Sequence, residues 1–261
     1  MIFRWFRQRR RAQLLARPFP QNWDRVIRDN VLHEKYLTPP QQIRLRHFVQ
    51  LFVAEKNWEG CGGLELNDEM KVTIAALACL LVVGVKDDWY FDHVLSILVY
   101  PTAYVAPGTQ VSRAGLVLDG GQPRLGEAWW QGPVILSWSD ALTGGRMENR
   151  GHNLVLHEFA HQLDMMNGRV CDGMPPMETR QEVDRWISVL GPEYERLVHA
   201  CKNVHHHFFD CYGATNSAEF FAVMTESFFD RPVAFNSHHP DAYQVLRDFY
   251  RLDPASWPHM K

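Results

Sequence analysis

The chain has 261 residues, of which 46% are apolar and 22% charged, with a formal net charge of -3. That composition is ordinary for a soluble globular protein of one or two domains. A chain this long buries most of the surface it exposes when unfolded, so a metal bound to it would serve chemistry rather than folding.

The head of the chain is basic. Residues 1–17 carry Arg4, Arg7, Arg9, Arg10, Arg11 and Arg17 and no acid. The stretch Ala12-Gln13-Leu14-Leu15-Ala16 is too short, and too soon interrupted, for the apolar core of a signal peptide. The head reads as a solvated tail. A second reading is a surface anchor or an arm for an acidic partner, because Phe3, Trp5 and Phe6 interleave with the arginines. Pro18 and Pro20 separate this head from the remainder, whose excess of acid disfavours direct nucleic-acid binding.

Residues 22–56 predict helices broken at Thr38-Pro39-Pro40, the prolines suiting the start of a helix through Ile43, Leu45, Phe48, Leu51 and Phe52. Trp58 to Asn67 reads as a Gly-rich turn region. Asp68 to Val85 is a nearly continuous apolar helix, buried on most sides. Its apolar run, Val72 to Val85, falls short of the roughly 20 residues of a membrane span. Val94 to Tyr100 and Val111 to Leu118 read as strands, the second followed by a turn at Asp119-Gly120-Gly121. A further strand covers Val134, Ile135, Leu136 and Ser137, and Pro133 fits an edge or a strand start. Asp140 to Arg150 reads as a polar loop. Helical patterns follow at about 152–165, 178–202, 216–229 and 240–251. The class is α+β, a small mixed sheet followed by a helical half.

The five cysteines, Cys61, Cys79, Cys171, Cys201 and Cys211, are odd in number, widely spread and without a CxxC pair. They predict no disulfide framework, mostly buried apolar roles and a reducing compartment, hence a cytoplasmic protein.

The chemistry concentrates in Asn153-Leu154-Val155-Leu156-His157-Glu158-Phe159-Ala160-His161-Gln162-Leu163-Asp164. On a helix, residues at i and i+4 share a face, so His157 and His161 can reach one metal ion. Glu158 lies too far round to be an equivalent ligand, but it can take a proton from a water activated at the metal. HExxH also arises by chance. Here the flanks are apolar, and a buried helix does not carry two histidines and a glutamate without partners.

Asp164 and Asn167 stand where a metzincin has Gly and His, which excludes that class. The remaining common solution is a glutamate from a later helix, and Glu178, Glu182, Glu193, Glu195, Glu219 and Glu226 are candidates. Glu219 opens the apolar helix Ser217-Ala218-Glu219-Phe220-Phe221-Ala222-Val223. A capping-box role three residues after Asn216 explains a glutamate there, but not its apolar surroundings. Asp164, three residues after His161, and Glu226, two turns after Glu219, are candidates for orienting a ligand imidazole.

Gln131-Gly132-Pro133-Val134-Ile135-Leu136, Asn153 to Asp164, Tyr212, and Ala218 to Val223 together resemble the Mlc titration factor A family. These are bacterial gluzincin peptidases whose catalytic fold is similar to the anthrax lethal factor protease domain. The resemblance runs from about residue 20 to Pro254, and the family's tyrosine seven residues before a ligand glutamate is matched by Tyr212 and Glu219. It implies one Zn2+ per chain held by His157, His161 and Glu219, with Glu158 as the base and Tyr212 steadying the oxyanion. It further implies aminopeptidase-like action on peptides, a site bordered by the strand Val134 to Ser137, and binding of a glucose-responsive transcriptional repressor. The domain reading is then a basic flexible tail, 1–20, and one zincin-like peptidase domain, 21–261. Within it lie a helical part at about 21–90 and a catalytic core at about 91–255. The Arg-rich head and the run His205-His206-His207 depart from the family. The run reads as a solvated loop, with a secondary metal site as its alternative.

Overall fold

The computed structural model describes residues 2–85, 91–102, 132–146, 151–168, 170–203 and 207–258, with the side chains of 2–4 excepted. The strand expected at 111–118, its following turn, Gln131, His205 and His206 lie outside these residues.

Helix α1 (Ile2–Leu15) occupies the basic head, where a flexible tail was the expectation. It is held by Arg11, whose guanidinium forks onto Glu55 at 2.8 and 2.6 Å. Gln50 donates to the carbonyls of Leu14 and Arg17 at 2.9 and 3.2 Å. Arginine-rich composition reads as solvated, but a paired guanidinium lets its aliphatic stem pack.

Helix α2 (Gln21–Asn30), a 3-10 turn (Leu32–Tyr36) and α3 (Pro39–Glu55) follow the predicted break. A capping box joins Thr38 and Gln41 at the start of α3. The first residues of the expected turn region form strand β1 (Asn57–Gly60) instead, because Asn57 and Cys61 N–H groups donate to the carbonyls of Leu95 and Val99. Helix α4 (Asp68–Leu80), capped by Asn67, is buried from Val72 onward and carries the chain to β2 (Ser96–Tyr100). Strand β3 (Val134–Ser137) pairs with β2, Ile97 opposite Val134 and Tyr100 opposite Ser137. The sheet order is β1-β2-β3 and both pairings are parallel, so the described sheet is parallel rather than mixed. Parallel neighbours need long crossovers, and α4 supplies the first.

Much of the polar segment expected as a loop after β3 is helix α5 (Trp138–Arg146). Its glycines permit close approach instead of breaking the helix. A Cβ at Gly145 would lie 2.2 Å from the carbonyl oxygen of Asn30. Then come α6 (Leu154–Asp164), α7 (Arg180–Lys202), a 3-10 turn (Cys211–Ala214), α8 (Ser217–Asp230), α9 (Pro232–His238) and α10 (Pro240–Tyr250). The short α9 carries too little periodicity to be read from sequence.

One apolar core runs through both halves. Phe159 of α6 meets Phe91 at 5.0 Å and Phe52 at 5.6 Å between ring centroids, and α8 is buried on nearly every side. Each such side chain contributes roughly 1.5–3 kcal/mol on burial. Cys201 and Cys211 form a disulfide, which corrects the expectation of no bridge. The chain turns back after α7 and brings the two within 5.7 Å, Cα to Cα. Cys61, Cys79 and Cys171 are free. No helix among the described residues is long and apolar enough to cross a membrane.

Candidate metal centre

Two buried helices, α6 and α8, pack together to build the site. Asn153 fixes the start of α6: its side chain accepts from Leu156 N–H at 3.2 Å and donates to the Gly144 carbonyl at 3.0 Å. One turn on, His157 and His161 stand on one face with ring centroids 4.9 Å apart. Asn216 caps α8 by accepting from the Glu219 N–H at 2.9 Å, which aims the Glu219 side chain back at α6. Its Oε2 lies 3.0 Å from Nε2 of His157 and 3.4 Å from Nε2 of His161.

These three residues each offer one ligand atom, all within 4.8 Å of one another, and they are the one such group among the described residues. Two imidazoles and a carboxylate on converging helices fit a divalent cation of zinc's type. The capping role weighed for Glu219 thus belongs to its backbone, while its carboxylate belongs to the histidines.

The outward nitrogen of each histidine is also engaged. Nδ1 of His157 lies 2.7 Å from Oε1 of Glu226, whose Oε2 accepts from the Asn153 N–H at 2.7 Å. Nδ1 of His161 lies 3.5 Å from Sγ of Cys171, and that thiol donates to Oδ2 of Asp164 at 3.1 Å. Asp164, fully buried, also accepts from the N–H groups of Gly173 and Met174 at 2.6 and 2.9 Å. It therefore approaches His161 through Cys171. Gly173 has φ +82°, and a Cβ there would sit 2.4 Å from the Ser217 carbonyl oxygen, so glycine alone lets this loop close onto the start of α8.

Burial opposes a charge on His157, but the carboxylates of Glu219 and Glu226 outweigh it and hold the imidazole up to about 10. Glu219 is buried too, yet the two histidines hold its carboxyl well below the usual range. Burial pushes Glu158 up, against the pull of His157 and His161. Burial, then Asp164, pushes the Cys171 thiol up, so it stays a protonated donor.

Tyr212 sits in the 3-10 turn before α8, where Asp210 accepts from its N–H at 2.8 Å. Its ring centroid is 5.9 Å from that of His157. The other glutamate candidates are engaged elsewhere or exposed. Glu178 pairs with Arg251 at 3.0 Å, Glu182 caps α7, Glu193 binds His239 at 2.9 Å, and Glu195 is exposed on α7. Strand β3 packs on α6, with Val134, Leu136 and Ser137 buried and Ile135 half-buried. His207 lies beside His239, ring centroids 5.2 Å apart.

Sequence reasoning missed Asn153 and Cys171. The first is legible as a helix cap four residues before His157. The second lies in an irregular loop that carries no periodic signal.

Residues 3–251 match the family described as glucose-regulated metallo-peptidase M90. An uncharacterised protein of Synechocystis is 37% identical over 246 residues, covering 94% of this chain and 89% of the relative. Mlc titration factor A of Yersinia pestis and that of Yersinia pseudotuberculosis are each 32% identical over 261 residues, covering 97% of this chain and 90% of theirs. The chain belongs to the glucose-regulated metallo-peptidase M90 family.

Proposed function

We propose that the chain is a zinc-dependent peptidase of the gluzincin type, aminopeptidase-like in action. His157, His161 and Glu219 hold the ion, and the convergence of their three ligand atoms within 4.8 Å is the observation that carries this reading. When bound, zinc acidifies a water and polarises a substrate carbonyl.

The chain's own residues do the rest. Glu158, one residue along α6 from His157, takes a proton from the attacking water and delivers it to the leaving amine as the C–N bond breaks. Burial raises its proton affinity above that of an exposed carboxylate, which favours taking the water's proton. Tyr212 donates a hydrogen bond to the carbonyl oxygen as it gains charge, and its position next to the His157 ring supports that role. Glu226 and the Asp164–Cys171 pair hold the two imidazoles with Nε2 inward. Strand β3 is the surface along which an extended peptide adds as a further strand.

A second role is binding a glucose-responsive transcriptional repressor. The name carried by the Yersinia relatives, at 32% identity over nearly the whole chain, supports it. If that role stands alone, the protein is a non-catalytic regulator. Both readings place it in the cytoplasm. Three free cysteines favour that compartment, and the Cys201–Cys211 bridge opposes it.

The Glu158→Gln variant separates the readings. Peptide cleavage falls by at least about a hundredfold if Glu158 is the base, while repressor capture persists if the two roles are distinct. Undiminished cleavage would overturn the mechanism.

A further inference from the structure

We propose that the outward face of α1 docks on the surface of an anionic lipid bilayer. The inward face is already committed: Arg11 forks onto Glu55, Arg7 pairs with Asp92 at 2.6 Å, and the Leu14 carbonyl accepts from Gln50. At about 100° per residue, Trp5 and Arg9 fall opposite Arg7, Arg11 and Leu14, while Phe6 and Arg10 lie on the flank between. All four are exposed, Trp5 by 52% and Phe6 by 57%. The two aromatic rings meet edge to face at 4.9 Å, and the Arg9 guanidinium lies 5.4 Å above the Trp5 ring. Neither Arg9 nor Arg10 pairs with an acid among the described residues.

Charge complementarity selects the occupant. Residues 1–17 carry six arginines, and all 30 acidic residues of the chain lie beyond them. An anionic surface therefore attracts the head and repels the body, which orients the molecule with α1 toward the lipid. Indole and phenyl rings beside arginines match the headgroup boundary, where the rings enter the acyl margin and the guanidiniums stay with phosphate. A single convex helix face offers no concavity for a shaped protein ligand. The helix is 14 residues long and lies on the bilayer without crossing it.

Co-sedimentation of the full chain with vesicles tests this. Vesicles of phosphatidylcholine with about 30% phosphatidylglycerol bind the protein, pure phosphatidylcholine binds it at least about tenfold less, and high salt releases it. Arg9→Gln/Arg10→Gln lowers binding by about tenfold or more. Trp5→Ala/Phe6→Ala lowers it comparably with the charge unchanged. Both pairs are exposed, so an unchanged thermal transition confirms that each variant is folded. Equal binding to both vesicle types would overturn the proposal. So would indifference to the aromatic pair, or binding to soluble polyglutamate as tight as to the vesicles, since each points to charge alone.

Discussion

The Glu226 carboxylate faces the outward nitrogen of His157 at 2.7 Å, while the inward nitrogen faces Glu219 at 3.0 Å. The ring is thus held from both sides, with its Nε2 turned toward Glu219. Because Glu226 also accepts from the Asn153 N–H, it ties the start of α6 to the middle of α8.

Glu226→Gln keeps the shape and removes the charge. Metal affinity, read by competition with a chelating dye, falls by about 10–100-fold. Unchanged affinity would show that Glu226 serves packing alone.

His161 has a thiol in the same place. Cys171→Ala removes the bridge between Asp164 and Nδ1 of His161, and metal affinity falls by up to about tenfold. Cys171→Ser restores part of it, since a hydroxyl both donates and accepts. Asp164→Asn acts on the loop as well, because the carboxylate holds the N–H groups of Gly173 and Met174. It costs about 1–3 kcal/mol of stability, measured by denaturant unfolding.

Protons compete with the metal. In the metal-free protein His157 is held up to about 10, so it is charged at neutral pH, whereas a ligand imidazole must be neutral. Zinc uptake at pH 7 therefore releases a proton. Titration calorimetry in buffers of different ionisation enthalpy reads that proton directly. Glu219, held low, is ionised already and releases none. The same shifts set the stability of the metal-free fold. The His157 contribution is complete below 6.5 and is lost as pH rises toward about 10. The Glu219 contribution is present above 4.5 and is lost as pH falls through its lowered value.

Much of this site is legible in the sequence because it obeys helix periodicity. His157 and His161 are one turn apart, Glu219 and Glu226 two turns, and Asn153 and Asn216 are caps of a recognisable kind. What escapes is set by contacts between distant segments. Gly144 and Gly145 of α5 look like breakers until Asn153 and Asn30, respectively, are found pressed against them. Cys171 looks like an apolar filler until the loop folds onto His161. The disulfide depends on the turn that brings Cys211 back to the end of α7. The basic head looks solvated because Glu55 and Asp92, which hold it, are 44 and 81 residues away from Arg11.

A buried pair at the far end of α8 gives a separate test. Nε2 of His33 lies 3.2 Å from Oδ1 of Asp230, both side chains about fully buried, and it joins the 3-10 turn after α2 to α8. His33→Ala takes from the buried Asp230 carboxyl its nearby polar neighbour and costs about 1–3 kcal/mol. Removing both side chains costs less than the sum of the two single changes. Additive losses would show that the pair is not coupled.

The central claim is that His157, His161 and Glu219 form one zinc site. Elemental analysis of the purified wild type and of the His157→Ala/His161→Ala variant measures it most directly. One zinc per chain in the wild type, and none in the folded variant, is the predicted result. Wild-type protein that takes up no stoichiometric zinc, or a folded variant that keeps it, would contradict the claim.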